Sequence, residues 1–283
     1  MHGLGGYVRL IRPVNCLMMG FAVVVGAVLA NPNSVQVSLP SIVYGFITGF
    51  TLTGASMAIN DYYDRRIDAI NEPGRPIPSG VVKPGQALVF AAMLTGVGFV
   101  AAFLANPSCL VIAVVAWLMF SVYTTIGKRS GLPGNFLVSA CVAVPFIYGS
   151  AVTLGIIRTN ILFFVSMVFL SNTGREITKG IVDVQGDKSQ GVKTLAVRWG
   201  EKRAAVTAAV FYVAAVLLSL LPWLLNVVSV WYLPLVAVTD VGLVASSFML
   251  LKDYSRENAR KVKKTVLLWF LFGLLAFIAG TAW

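Results

Sequence analysis

Runs of about 20 apolar residues recur along the whole chain, and they constrain the fold more than any other feature of the sequence. A helix of that length crosses the hydrocarbon core of a bilayer. Of the 283 residues, 58% are hydrophobic and only 12% are charged, which excludes a soluble domain. The runs do not alternate as the strands of a membrane β-barrel would. The sequence therefore predicts an all-α polytopic membrane protein.

Nine segments are long and apolar enough to be transmembrane helices, and we expect them to surround a central cavity as a single domain over residues 1–283. They lie near residues 14–31, 41–60, 86–105, 108–125, 134–154, 159–177, 202–225, 229–251 and 264–282. The second and sixth segments both end in acidic residues on the same side of the membrane. Helices 1–4 and 5–8 are therefore candidates for an internal repeat.

Basic residues lie almost entirely on one side of the predicted spans. They cluster in the connections 61–85, 126–133, 178–201 and 252–263, whereas the opposite connections carry only Arg158. The positive-inside rule places the four basic connections, and the acidic helix ends with them, in the cytoplasm. The net charge of +11 then reflects topology and contact with anionic lipid headgroups. We therefore expect a multi-pass protein of the cell membrane that has membrane lipid, and no nucleic acid, as a partner.

The densest polar cluster follows the second predicted span. It reads Asn60-Asp61-Tyr62-Tyr63-Asp64-Arg65-Arg66-Ile67-Asp68. At 100° per residue, its amide and its three carboxylates share one face if the helix continues. Carboxylates so close together raise one another's pKa unless a cation compensates, and oxygen ligands without His or Cys suit Mg2+. The metal-ligand candidates here are Asn60, Asp61, Asp64 and Asp68, and the last two are also catalytic candidates.

A second acidic stretch follows the sixth predicted span. It runs from Asn172 to Asp187, and if it is helical throughout, Asn172, Glu176, Asp183 and Asp187 share one face. Gly186 is expected to break this helix near its end. Either stretch alone is compatible with a salt-bridged helix end. Two matched stretches on one side favour a clamp for Mg2+ and substrate phosphate, with Asp183 and Asp187 as metal-ligand and catalytic candidates.

A diphosphate also needs cationic donors at the same membrane face. The candidates are Arg75, Lys128, Lys179 and Lys188. Each of them is alternatively a topology charge that faces lipid headgroups. Asn15, early in the first span, is either a substrate contact or an interhelical hydrogen bond. Asp240 lies in the middle of a span, away from the acidic stretches, and we leave it out of the site.

At these residues the chain resembles the UbiA superfamily of intramembrane prenyltransferases. The first stretch matches the pattern N-D-x-x-D-x-x-x-D, and the segment 71–80, NEPGRPIPSG, is similar to the loop that follows it in the family. The segment 183–195 is similar to the family's D-x-x-x-D-K-x-x-G-x-x-T-L. Tyr123 and Lys128 resemble a Y…K element of the family. Gly180 departs from the pattern, because many members carry Asp there.

The resemblance implies an enzyme that uses Mg2+ to transfer a prenyl group from an isoprenyl diphosphate to a lipid-soluble acceptor. Tyr123 then becomes a catalytic candidate whose ring faces an allyl cation, together with Tyr62, Tyr63 and Tyr148. The segments Arg12–Cys16 and Arg175–Lys179 are most similar to archaeal members. Those enzymes attach a geranylgeranyl group to a glyceryl phosphate acceptor, geranylgeranylglyceryl phosphate.

Two other functions remain open from the sequence. An aromatic prenyltransferase of quinone biosynthesis would share these motifs and differ in its acceptor. An ion-coupled membrane transporter would use the carboxylates as ion sites, although such sites usually lie near the bilayer midplane rather than at helix ends. A structural lipid-binding protein would not need two acidic clusters.

Overall fold

The computed structural model describes residues 4–34 and 38–282, and within them every regular element is a helix. The α-helices are α1 Leu4–Ile11, α2 Pro13–Ala30, α3 Leu39–Asn71, α4 Pro84–Ala105, α5 Pro107–Thr125, α6 Leu132–Leu154, α7 Ile161–Val182, α8 Val184–Ser189, α9 Leu195–Trp199, α10 Glu201–Ser219, α11 Leu221–Leu224, α12 Tyr232–Lys252 and α13 Arg256–Ala279. Two short 3-10 helices, Pro32–Ser34 and Gly127–Ser130, lie in connections. The all-α prediction is confirmed.

Nine of the described helices have 18 residues or more, and they coincide with the nine predicted spans. Eight of these are long and apolar enough to cross a membrane by length and composition. The exception is α7, whose second half carries Asn172, Arg175, Glu176 and Lys179. These polar groups lower its hydropathy, so the count of nine spans stays a prediction.

Proline and asparagine set sharp helix boundaries around the turn between α4 and α5. Both helices begin at a proline, Pro84 and Pro107, where the missing N–H would have no helical partner in any case. Asn106 alone connects the two helices. Its side chain accepts a hydrogen bond from Cys109 N at 2.9 Å and donates one to Ala151 O of α6 at 2.9 Å. One residue therefore caps α5 and fixes this hairpin against α6.

The predicted helical continuation is correct for the first acidic stretch and wrong for the second. α3 runs without interruption for 33 residues, so the stretch 60–68 lies on one helix. α7 ends at Val182, and Asp183 turns the backbone with φ −97° and ψ 5° before α8 begins. Gly186 lies inside α8 instead of ending a helix. Asp183 and Asp187 therefore do not share a helical face with Glu176.

Small residues bring α2 and α6 into direct backbone contact. A Cβ at Gly149 would lie 2.2 Å from Val23 O, and one at Gly26 would lie 2.5 Å from Phe146 O. Close approach at small residues is common between membrane helices, because lipid provides no hydrophobic drive for their association. Beside this contact, Phe146 packs edge-on against Phe277 of α13. These contacts bring α2, α6 and α13 together in the interior.

Apolar side chains divide between this interior and the outer surface. Phe164 and Tyr232 join Phe277 in a buried aromatic cluster where α7, α12 and α13 meet. On α4, large apolar side chains such as Met93 and Phe103 are exposed instead. An exposed apolar helix surface is suited to contact with lipid acyl chains. The helices therefore have an apolar outer surface, and they enclose buried polar groups such as Asp61, Asp64 and Asp68.

Candidate active site

The three carboxylates of the first acidic stretch are buried, and each meets a cation. The ion pairs are Asp61 with Arg12 at 2.5 Å, Asp64 with Lys128, and Asp68 with Arg75. Arg75 also reaches Asp61 at 3.3 Å, and Asn60 donates a hydrogen bond to Asp64 Oδ2 at 2.7 Å. Buried charges are costly unless they are paired. The pairing explains how three carboxylates share one face of α3.

The three cations come from three separate elements. Arg12 precedes α2 and adopts a left-handed backbone conformation with φ 53° and ψ 74°. Such a conformation costs a non-glycine residue about 1–2 kcal/mol, and it accompanies the ion pair with Asp61. Arg75 lies in the loop after α3, and Lys128 lies in the 3-10 helix between α5 and α6. Burial lowers the pKa of Arg75, but the charges of Asp68 and Asp61 outweigh burial and raise it.

Among the described residues, the carboxylates of the second stretch have no such partners. Asp187 is buried in α8, and Asp183 is half-buried at the end of α7. Within the described residues, neither side chain forms an ion pair or a hydrogen bond. Burial and the charge of Asp183 raise the pKa of Asp187 to about 7, against the opposing charges of Lys128 and Lys179. These two carboxylates therefore lack the direct ion pairs that the first stretch has, although basic side chains lie near them.

Asn71, the last residue of α3, connects the two stretches. Its Nδ2 donates a hydrogen bond to Asp183 O at 3.1 Å, and its Oδ1 accepts one from Gly186 N at 3.0 Å. A side chain at Gly186 would not fit, because a Cβ would lie 2.4 Å from the Asn71 amide. Arg256 of α13 adds a second link and donates to Val182 O at 2.9 Å and to Asn71 O at 3.2 Å. The end of α3 and the turn between α7 and α8 are thus held side by side.

A cavity of about 300 Å³ joins this polar cluster to the apolar interior. Its polar wall includes Arg12, Asn15, Asn60, Arg75, Glu176 and Lys179. Its apolar wall includes Met18, Val23, Leu52, Trp117 and Phe120. Lys179 pairs with Glu176 at 3.5 Å. The cavity suits a molecule with an anionic head and a long hydrocarbon chain.

Two of the four candidate tyrosines line this cavity. Tyr123 and Tyr148 are buried in its wall, and Tyr148 donates a hydrogen bond to Thr48 Oγ1 at 3.2 Å. Tyr62 and Tyr63 do not line it: the Arg65 guanidinium lies 4.5 Å from the centre of the Tyr62 ring, and Tyr63 is exposed. The geometry therefore favours Tyr123 and Tyr148 as the aromatic rings nearest a bound substrate.

The structure brings together most of the predicted site residues and adds others. The cavity wall includes five of them, and ion pairs beside it add four: Asn15, Asn60, Arg75, Tyr123 and Lys179, then Asp61, Asp64, Asp68 and Lys128. Asp183 and Asp187 lie next to this cluster through the Asn71 hydrogen bonds, whereas Lys188 is exposed on α8. Arg12 and Asn71 were not predicted as site residues, although both lie in segments that carry the family resemblance. Arg256 was interpreted as a topology charge. Nothing in its neighbouring sequence distinguishes it from the other basic residues of that connection.

The chemistry of the candidate ligands fits Mg2+, although the described residues contain no preformed metal centre. Every candidate donor is a carboxylate or amide oxygen, but within residues 4–34 and 38–282 no group of three or more His, Cys, Asp or Glu is arranged to hold a metal. Mg2+ commonly takes one or two protein carboxylates and completes its shell with water and substrate phosphates. Asp183 and Asp187 form no ion pair within the described part of the chain, so a metal ion added beside them is most favourable.

Comparison with known proteins identifies the family. The family model described as UbiA prenyltransferase matches residues 19–281. The chain belongs to the UbiA prenyltransferase family. It is 36% identical to a digeranylgeranylglyceryl phosphate synthase from Methanosarcina mazei, and the alignment covers 98% of this chain and 99% of the relative. The enzyme is therefore a UbiA-type prenyltransferase, as the motifs predicted.

Solved structures share this fold. One, from work on the biosynthesis of digeranylgeranylglyceryl phosphate synthase in membranes, has a TM-score of 0.74 and 32% identity and covers 99% of each chain. A UbiA homolog from Archaeoglobus fulgidus, solved with GPP and Mg2+, has a TM-score of 0.68. That match covers 96% of this chain and 99% of the homolog at 18% identity, and it shows a common fold. The predicted UbiA architecture is confirmed.

Proposed function

We propose that this UbiA prenyltransferase transfers a geranylgeranyl group from its diphosphate to geranylgeranylglyceryl phosphate, with Mg2+ as cofactor. The name of the Methanosarcina mazei relative supports this acceptor. The Archaeoglobus fulgidus homolog, solved with GPP and Mg2+, supports an isoprenyl diphosphate and a divalent cation. The product is an ether-linked lipid with two isoprenoid chains.

The observation that carries this proposal is the continuity of one cavity from charged to apolar walls. Its polar end is surrounded by side chains from the residue before α2, from α3, from the loop after α3 and from α7: Arg12, Asn60, Arg75, Arg175, Glu176 and Lys179. Arg12 and Arg75 in turn pair with Asp61 and Asp68. Met18, Val23 and Trp117 lie along its apolar part. The diphosphate of an isoprenyl donor requires the polar end, and the C20 chain attached to it requires the apolar part that follows.

The reaction breaks the C–O bond between prenyl C1 and the diphosphate and forms a C–O bond between C1 and the acceptor hydroxyl. When bound, Mg2+ neutralises negative charge on the leaving diphosphate. The residues that would hold it are Asn60, Asp61, Asp64, Asp68, Asp183 and Asp187. Arg75 and Lys128, which the structure places beside Asp68 and Asp64, donate to the diphosphate oxygens.

The apolar wall protects the allylic cation. Water would quench this carbocation, so the buried faces of the cavity must exclude it. The ring of Tyr123 lies in the wall and can stabilise positive charge through its face. The acceptor hydroxyl attacks C1 on this dry side, and its proton leaves to a carboxylate of the site or to the released diphosphate.

A purified-enzyme assay tests the proposal. The protein is incubated with geranylgeranyl diphosphate, Mg2+ and a panel of glyceryl phosphate and phenolic acceptors, and products are identified by mass spectrometry. We expect digeranylgeranylglyceryl phosphate as the main product. Prenylation of a phenol in preference to geranylgeranylglyceryl phosphate would overturn the acceptor and favour quinone biosynthesis.

The active-site end faces the cytoplasm of the cell membrane in this proposal, because basic residues concentrate there. Single cysteines at Ser79 and Ser189 are exposed at that end, and one at Ile156 is exposed in the opposite connection. We expect a membrane-impermeant thiol reagent to label only the Ile156 position in intact cells. Efficient labelling at Ser79 or Ser189 would reverse the orientation.

A further inference from the structure

Lys263 is a cation of the cavity that no acidic side chain among the described residues contacts directly. It lies on α13 and its half-buried side chain lines the cavity together with Arg175 and Lys179. Within the part of the chain that the structure describes, Lys263 forms no ion pair and no hydrogen bond. Asp183 is near enough for its charge to act on Lys263, but so are Lys179 and Arg175. Repulsion between these cations makes an added anion favourable here.

Arg175 has donor capacity that remains unused. Its Nη1 pairs with Glu176 Oε1 at 3.2 Å, and 17% of its side chain is exposed. Its Nε is fully buried and, among the described residues, has no hydrogen-bond partner. A buried donor without a partner costs about 1–3 kcal/mol. A bound anion would supply the missing acceptor.

The cations on this wall differ from those beside the first acidic stretch. There, Arg12, Arg75 and Lys128 each contact a carboxylate. Here, Arg175 and Lys179 both pair with Glu176, and among the described residues no carboxylate contacts Lys263. The α7–α13 wall therefore carries excess positive charge beside the cavity, in the absence of substrate.

We propose that Arg175 and Lys263 form a second anion subsite, which binds the phosphate monoester of the acceptor, while the donor diphosphate lies at the acidic stretches. This inference rests on the proposed function, because only a phosphorylated acceptor brings a second phosphate group into the cavity. The acceptor phosphate and the donor diphosphate are both phosphate anions, so either could bind Arg175 and Lys263. Separate kinetic measurements on the two substrates distinguish them.

The first test compares Lys263→Ala with Lys264→Ala. Lys264 is the adjacent residue, but its side chain is exposed and is not among the described residues that line the cavity. We expect Lys263→Ala to raise the KM for geranylgeranylglyceryl phosphate about 10-fold or more, because a charge-assisted hydrogen bond is lost. The KM for geranylgeranyl diphosphate should change less than about twofold, and Lys264→Ala should resemble the wild type. An equal rise for both substrates, or for neither, would overturn the subsite.

A second test removes the phosphate from the acceptor instead of the cation from the protein. Geranylgeranylglycerol lacks the phosphate, so the wild type and Lys263→Ala should use it with the same kcat/KM. Lys263→Arg should restore selectivity for the phosphorylated acceptor, which a purely structural role for Lys263 would not predict. A Lys263→Ala enzyme that still prefers the phosphorylated acceptor as strongly as the wild type contradicts the inference.

The wild-type result separates this inference from the proposed function. If the wild type prenylates geranylgeranylglyceryl phosphate and Lys263→Ala keeps its selectivity, only the second subsite is overturned. If the wild type prenylates a phenol and not this acceptor, the proposed function and the subsite are both overturned. Size-exclusion profiles of the detergent-purified variants show whether each is folded.

Discussion

The two acidic stretches lie side by side, but their positions are fixed by different forces. The first lies on one continuous helix, and its carboxylates are held through their charges by Arg12, Arg75 and Lys128. The second turns at Asp183, and it is held through its backbone by Asn71 and Arg256.

This difference indicates a division of labour between the two stretches. Carboxylates that already hold cations form a compensated cluster that is stable before substrate arrives. Within the described residues, the side chains of Asp183 and Asp187 have no direct partner, and backbone bonds to Asn71 hold their turn beside the end of α3. The second stretch therefore has the greater need for a bound cation.

Removal of divalent metal should have the largest effect on activity. Excess EDTA should abolish prenyl transfer, because both stretches offer oxygen ligands suited to Mg2+ and charge on the leaving diphosphate would otherwise remain uncompensated. Prenyl transfer is measured before and after Mg2+ is restored in excess of the chelator. Full turnover in chelator would show that neither stretch functions through a metal.

Loss of one carboxylate from either stretch should be nearly as severe. Asp64→Ala and Asp183→Ala should each lower turnover by about 10² to 10³, the effect of losing a few kcal/mol of transition-state stabilisation. The double variant should be far less than multiplicatively worse, because groups that act as one unit are not additive. Steady-state assays of the single and double variants measure this coupling.

Monodispersity of each purified variant is the control for this experiment. A folded Asp183→Ala enzyme with wild-type turnover would show that the second stretch is not a metal site. Multiplicative losses in the double variant would show that the two stretches act independently.

The difference between the stretches also shows what the sequence can predict. Apolar runs placed all nine long helices, and the helical period placed Asn60, Asp61, Asp64 and Asp68 on one face, because α3 is regular throughout. The helical period gave a wrong prediction at Asp183, where the chain turns although no local sequence signal marks a break. The turn instead contacts Asn71 at the distant end of α3. Side-chain partners such as Arg12 depend on how separate helices pack. No local pattern encodes that packing.

The link between the stretches can be broken without removing a carboxylate. Asn71→Ala deletes the hydrogen bonds to Asp183 O and from Gly186 N and should lower turnover by up to about 30-fold, since the two bonds contribute about 1 kcal/mol each. Asn258→Ala is the matched control, because its amide also donates to a backbone carbonyl, Met249 O at 2.9 Å, but at the exposed start of α13. Equal turnover of the two variants would show that Asn71 does not position the second stretch.

Removal of a cation beside the first stretch should have the smallest effect on activity. We expect it to weaken substrate binding more than turnover. Lys128→Ala leaves Asp64 without its cation but with the Asn60 hydrogen bond. We expect the KM for the isoprenyl diphosphate to rise about 10-fold, as for the loss of one charge-assisted hydrogen bond, and kcat to change less.

The adjacent Arg129 is exposed, so Arg129→Ala should match the wild type and separates a site effect from a change in surface charge. A Lys128→Ala enzyme with unchanged KM and reduced kcat would mean that Lys128 acts only by compensating Asp64. In that case Lys128 would be a structural partner of Asp64, and diphosphate binding would depend on Arg75 and the bound metal.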